Sequence, residues 1–387
     1  MKFNLGLLAL AVGAFGIGVT EFAPMGMLPV IAGDLHVSIP AAGLLVSAYA
    51  MGVLIGAPLM TLTTGRIDRR TLLIALMGIF TLGNALSAVA DGYWMLMAAR
   101  IVTSFNHGAF FGVGSVVAAS LVPPDKRAGA VAAMFTGLTV ATIGGVPAAT
   151  WVSEAIGWRT AFAGIAGVGA IAMPSLRLAL PPLPAAEGGD MRAELRVLTR
   201  KPVLTALALT VVGASAMFTV FTYIVPILRD ETHALTGFVT AMLMLYGIGL
   251  TIGNTLGGRL ADRSIERTLI GNFAVLATVL VVFAGVMQWP WPAAIAILIW
   301  GIASFAIVPP LQMRVMDAAS DAPNLASAMN IGAFNLGNAF GAVLGGGVIG
   351  AGLGLPVVSL AGAAMAVAAL VLLLALRRQP RARTCPV

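Results

Sequence analysis

The sequence is short of charge. Only 10% of its 387 residues are Asp, Glu, Lys or Arg. A soluble chain of this size carries roughly 25%, so this one cannot clothe a water-facing surface. Its single cysteine, Cys385, excludes an internal disulfide and a thiolate metal cluster. No Gly-x-x-x-x-Gly-Lys stretch occurs, which argues against direct drive by ATP. Acid is scarcest of all inside the apolar runs. From Leu5 to Ala32 the only ionisable side chain is Glu21.

What is present is apolar: 59% of the residues are hydrophobic. Breaks at polar and Pro/Gly clusters predict twelve spans, near 5–32, 41–62, 71–90, 93–121, 129–152, 158–180, 203–229, 235–260, 268–287, 292–316, 325–350 and 355–376. Each is long enough for roughly 30 Å of hydrocarbon. Lys2 followed by an apolar run suggests a signal peptide, but the run is too long and further spans follow, so it reads as an uncleaved first span. The expected class is an all-α membrane protein. Its parts are an N-terminal six-helix bundle (1–180), a linker (181–202), a C-terminal six-helix bundle (203–376) and a tail (377–387).

Cations set the expected orientation. Arg66, Arg69, Arg70, Lys126, Arg127, Arg177, the 192–201 cluster, Arg259, Arg263, Arg267, Arg314 and the tail arginines fall on one side. The opposite loops hold only Arg159 and Arg229. The positive-inside rule then puts both termini and the linker in the cytoplasm of a cell whose inner (plasma) membrane holds the chain. The net charge of +7 reflects this bias rather than nucleic-acid binding.

The halves repeat at an offset of 197 residues. Tyr49, Gly52, Ile55, Gly56 and Leu59 meet Tyr246, Gly249, Ile252, Gly253 and Leu256. Arg66, Arg70, Thr71 and Leu72 meet Arg263, Arg267, Thr268 and Leu269, and Pro29 meets Pro226. Two like-oriented halves are the signature of a parallel-repeat transporter with a midplane site between them. Glu21 meets Phe218, so the carboxylate belongs to the first half alone.

The stretches "TEFAPMGMLPVIAGDLHVSIPAAGLLVSAYAMGVLIGAPL", "ARIVTSFNHGAFFGVGSVVAASLVPP", "GGVPAATWVSEAIGWRTAF" and "NIGAFNLGNAFGA" resemble the major facilitator superfamily. Within it they resemble the drug:proton antiporter group, and there the AraJ/YdhP-like exporters. The resemblance implies two pseudo-symmetric six-helix bundles around a central cavity. It also implies a cytoplasmic loop motif, Gly-x-Leu-x-Asp-Arg. "GRLADRSIER" fits that motif, with Glu266 replacing a usual base, whereas "TLTTGRIDRR" has Gly65 where the aspartate is expected. A cytoplasmic gate of Arg66, Asp68, Arg70, Asp262 and Arg263 follows by resemblance. The alternative is that these charges only set topology. The span-5 stretch "GGVPAATW" implies export rather than import, although close helix packing explains its composition equally well.

Three ionisable groups fall inside spans: Glu21, Arg100 and His107. At roughly 1.5 Å per residue, Glu21 lies about 18 Å below the outer end of its span, His107 about 21 Å and Arg100 about 10 Å. Arg100, Ser104 and His107 share one helix face, and Asn106 lies nearby. The expected proton-coupling residues are Glu21, His107 and Arg100. The expected substrate contacts are Glu21, Ser104, Asn106, His107, Tyr223, Asn335 and Asn338. Met217, Phe218, Phe221, Met242 and Met244 read as an adaptable apolar wall or as lipid-facing and core packing. A carboxyl between a low-dielectric wall and a cation can load and release a proton. The competing reading of Glu21 is structural, a neutral group bonded to a carbonyl freed by Pro24.

The expected function is therefore proton-coupled export of a small amphipathic molecule: a drug, a sugar-like compound or a metabolite. The expected partners are that substrate, protons and the lipid bilayer, without a cofactor and with the chain as a monomer. The alternative is a facilitator or importer of the same fold. An enzyme or sensor is disfavoured, because no second mid-span carboxylate and no nucleophile beside a base is evident.

Overall fold

The computed structural model describes residues 4–64, 66–123, 127–183, 197, 199–319 and 323–377. Most of the linker and nearly all of the tail, with Lys126, Cys385 and most of the 192–201 cluster, lie outside the described residues. Twelve helices are long and apolar enough to cross a membrane, and no strand occurs among the described residues. They are α1 (Leu5–Asp34), α2 (Ile39–Thr64), α3 (Arg69–Ala88), α4 (Tyr93–Ser120), α5 (Ala130–Ile156) and α6 (Trp158–Ala179). Then come α7 (Lys201–Asp230), α8 (Thr236–Ala261), α9 (Ile265–Val286), α10 (Pro290–Ala318), α11 (Pro323–Gly350) and α12 (Leu355–Arg377).

Four helices are interrupted, and the cause is local. In α7 the helix stops at Phe221 and resumes at Ile224. Pro226 clashes with the carbonyl four residues back, which is that of Thr222. In α10 the break at Ile307 precedes Pro309 and Pro310 in the same way. The break in α4 at Phe105–Asn106 has no proline; there Asn106 donates its side-chain amide to the Thr103 carbonyl at 2.6 Å. In α5 a π turn spans Ala141–Gly145. By contrast α1 stays helical through Pro24 and Pro29.

The packing repeats with the sequence. In the first half α3 packs on α6, α1 on α5 and α6, and α4 on α2 and α3. In the second half α9 packs on α12, α7 on α11 and α12, and α10 on α8 and α9. The halves meet where α2 lies along α11 and where α5 lies along α8. Small residues make these approaches close. A Cβ on Gly56 would lie 2.6 Å from the Phe105 ring, and one on its repeat mate Gly253 would run into the Ile302 carbonyl. Leu8, Leu82, Trp94, Ile171, Ile295 and Phe340 are exposed, as suits side chains facing hydrocarbon.

At the end that carries the chain termini, Asp68 caps α3 by accepting from the Thr71 amide at 3.0 Å. The Thr71 hydroxyl and amide hold the Asp68 carboxyl below its usual range. The cap is therefore present above the ordinary carboxylate pKa and is lost as pH falls through the lowered one. Gly253→Ala should cost about 1–3 kcal/mol by overpacking, lowering the melting temperature in detergent. Gly258→Ala, where a Cβ meets nothing within 4 Å, should leave it unchanged or raise it. Equal melting curves for the two variants would show that close α8–α10 packing does not matter.

Candidate functional site

Helices α1, α2 and α4 bring the site together. Glu21 Oε2 lies 3.9 Å from His107 Nε2, and both side chains are buried. The depth match expected from helix rise thus places the two residues face to face. The gap exceeds a hydrogen bond, and no carbonyl bond from Glu21 occurs among the described residues. The far nitrogen of the imidazole, Nδ1, is 3.1 Å from the Tyr49 hydroxyl on α2. Phe111 packs against the His107 ring at 5.3 Å between centroids.

Arg100 is 1% exposed. Its Nη1 donates to the Thr20 hydroxyl at 3.0 Å, and that hydroxyl donates to the Asn84 side-chain carbonyl at 2.6 Å. The Asn84 amide is in turn spent on the Phe80 carbonyl. The guanidinium also sits over the Tyr49 ring, 4.2 Å from its centroid, a favourable cation–π arrangement. Two of its nitrogens, Nε and Nη2, have no protein partner. A buried cation with free donors attracts an anion, and Glu21, next in sequence to Thr20, is the buried acid in the same cluster. Tyr49, Thr20 and Asn84 were not among the expected site residues. Tyr49 left a signal, since it recurs as Tyr246 in a chain with only 4 tyrosines.

The other expected contacts are placed unevenly. Ser104 turns its hydroxyl onto the Ile101 carbonyl and packs against Gly52 of α2. The Asn106 amide is taken by its own helix, while its Oδ1 has no partner. Tyr223 donates to the Ala342 carbonyl at 2.7 Å and wedges between α2 and α11, away from Glu21's cluster. On α11, Gly337 and Gly341 press on α7, Ala339 accepts from Ser47 of α2, and Phe340 and Val343 are exposed. At about 100° per residue, Asn335 and Asn338 then face inward between those two contacts. Neither the Asn338 amide nitrogen nor its oxygen has a protein partner, and Asn335 keeps a free Oδ1.

Phe218, the repeat mate of Glu21, stacks on Phe22 at 6.2 Å. The second half thus answers the carboxylate position with an aromatic seal. Met217, Phe221 and Met242 are likewise buried in the core between the halves. A cavity of about 10 Å³ lies there, lined in part by Phe22, Thr142, Phe221 and Tyr246, with room for about one water.

Cross-half contacts gather toward the end opposite the termini. Arg229 at the end of α7 reaches Glu154 at the end of α5 at 2.5 Å. It also holds the Ala234 carbonyl and the Thr236 hydroxyl. Arg159, the other cation at this end, pairs with Asp34 within the first half. The expected gate residues at the terminal end show contacts of a different kind. Asp68 caps its own helix, and Arg70 donates to the Leu180 carbonyl. Arg66, Asp262 and Arg263 are exposed, and no ion pair joins the five among the described residues.

No group of three or more His, Cys, Asp or Glu able to hold a metal occurs among the described residues. The chain is 58% identical to the inner membrane transport protein YdhP of Escherichia coli K12 over 381 residues, 98% of each chain. It is 34% identical to the putative transporter AraJ of the same organism, covering 97% of this chain and 95% of that one. A solved D-xylose-proton symporter shares the fold at TM-score 0.76 and 16% identity, covering 95% of this chain and 96% of that one. The profile described as Major Facilitator Superfamily matches residues 10–332, and the chain belongs to that superfamily of transporters.

Proposed function

We propose that the protein exports a small amphipathic molecule across the inner membrane in exchange for protons. Its halves, residues 1–180 and 203–376, alternate access to a midplane site, with linker 181–202 and tail 377–387 in the cytoplasm. The observation that carries this reading is the buried set of Glu21 facing His107 at 3.9 Å, with Arg100 beside it, in the first half only. An ionisable acid at this depth is expensive and by default functional. Arg100 favours the ionised carboxyl and the apolar surroundings favour the neutral one, so access to water on either side decides which form is populated. A substrate that takes up the carboxylate displaces the proton, and a returning proton displaces the substrate.

The free polar atoms of Arg100, Asn335 and Asn338 are the remaining substrate contacts in this proposal. The cavity of about 10 Å³ beside Phe22 and Tyr246 is too small for a substrate, so in this proposal the halves part there before one enters. The cation bias of the loops puts the terminal end in the cytoplasm. The Glu154–Arg229 pair then closes the outer side, and Arg66, Asp68, Arg70, Asp262 and Arg263 engage when the inner side closes.

A substrate is found by screening drugs, sugars and nucleosides for thermal stabilisation of the purified protein. In proteoliposomes, Glu21→Gln should abolish its accumulation driven by a pH gradient while binding persists. Accumulation at the wild-type rate would remove Glu21 from coupling. Glu154→Gln should free the outer side. In a Cys385→Ser background, a Ser47→Cys thiol should then react several-fold faster with a membrane-impermeant maleimide added outside. An unchanged rate would show that this pair does not hold the outer side closed.

A further inference from the structure

The hydrogen bond between Tyr49 and His107 has a twin. Tyr246 on α8 donates to the Ser304 hydroxyl on α10 at 3.3 Å. Tyr246 and Ser304 are the 197-residue mates of Tyr49 and His107, so both halves tie the second helix to the fourth at the same place. The tie itself is scaffold. What differs is the tyrosine's partner: a serine ends at its hydroxyl, whereas an imidazole carries a second nitrogen 3.9 Å from Glu21.

We propose that Tyr49 is a positioning residue whose hydroxyl lets His107 change tautomer as Glu21 gains and loses its proton. The inference rests on the reading of Glu21 as the proton-exchanging group. A neutral imidazole has one N–H and one bare nitrogen. When Glu21 is protonated, its O–H points at bare Nε2, and Nδ1–H donates to the Tyr49 oxygen. When Glu21 is ionised, Nε2–H points at the carboxylate, and the Tyr49 O–H turns to donate to Nδ1. Across the change Glu21 releases one proton, the imidazole proton moves from Nδ1 to Nε2, and the hydroxyl reverses from acceptor to donor. Only a group that both donates and accepts can serve each state, which a hydroxyl does.

The charged and titratable groups around the ring are few. Helix α1 presents Glu21 and α2 presents Tyr49. On α4, Arg100 lies over the face of the Tyr49 ring, and Phe111 packs against the His107 ring. Because Arg100 uses the ring face and His107 the hydroxyl, Tyr49→Phe removes one contact and keeps the other.

The test is ¹⁵N NMR of protein in nanodiscs with selectively labelled histidine, recorded across pH without any added ligand. The chain has 3 histidines, and His107→Gln identifies the signals of interest. Titration of the Glu21 carboxyl is followed by ¹³C in the same samples. In the wild type the protonated nitrogen of His107 should pass from Nδ1 to Nε2 over the pH range in which Glu21 ionises. Glu21→Gln and Tyr49→Phe should each abolish the exchange. Tyr246→Phe loses the equivalent bond in the other half and should leave the exchange intact. A single tautomer throughout, while Glu21 titrates, would overturn the proposal and leave the transport reading standing. A Glu21 that does not titrate would overturn both. If Tyr49→Phe does not fold, the wild-type and Tyr246→Phe spectra still decide, since a swap lost in Tyr246→Phe also contradicts the proposal.

Discussion

A buried charge in hydrocarbon has to be answered by the protein itself, and that constraint organises the first half of this molecule. Arg100 lies beyond the reach of water and finds Thr20, the Tyr49 ring face and the field of Glu21. Those groups come from α1 and α2, with Asn84 of α3 behind Thr20 and Arg100 itself on α4. Four helices of one half are thereby tied to one cation. The second half has no such obligation. At the positions of Arg100 and Glu21 it carries Ile297 and Phe218, and both are fully packed. The scaffold is shared by the two halves, and these charges stand in one of them.

The same asymmetry gives the halves different chemical parts. The first holds an acid, a cation and an imidazole. The second offers asparagine amides with unused hydrogen-bonding atoms and a wall of Phe218, Phe221 and Trp300. A molecule held between them meets charge on one side and neutral polar and aromatic groups on the other, which suits an amphipathic ligand. The Glu154–Arg229 pair and the packing of Tyr223 against Gly43 of α2 join the halves toward one end.

Much of the fold was legible because hydrocarbon imposes length and apolarity on every span, and the 197-residue offset fixed how the spans correspond. The meeting of Glu21 with His107 was legible for the same reason, since helix rise turns residue number into depth, and the short break before His107 leaves that depth nearly unchanged. Arg100's partners were not. Depth says nothing about which face a side chain takes, and Thr20, Asn84 and Tyr49 looked like ordinary uncharged residues. Tyr223 and Ser104 show what depth alone leaves out. Each carries a hydroxyl at a plausible depth, yet each hydroxyl is already committed to a backbone carbonyl. The breaks in α7 and α10 follow from proline, whereas the break in α4 turns on one asparagine amide.

The central claim is that proton and substrate compete for Glu21. Its most direct test is proton release measured with a pH indicator in lightly buffered detergent solution when a screened ligand binds. Near the pH at which Glu21 is half-ionised, wild-type protein should release a fraction of one proton per ligand, approaching about one at lower pH, and Glu21→Gln should release none. Saturating binding to wild-type protein with no proton released at any pH would contradict the account.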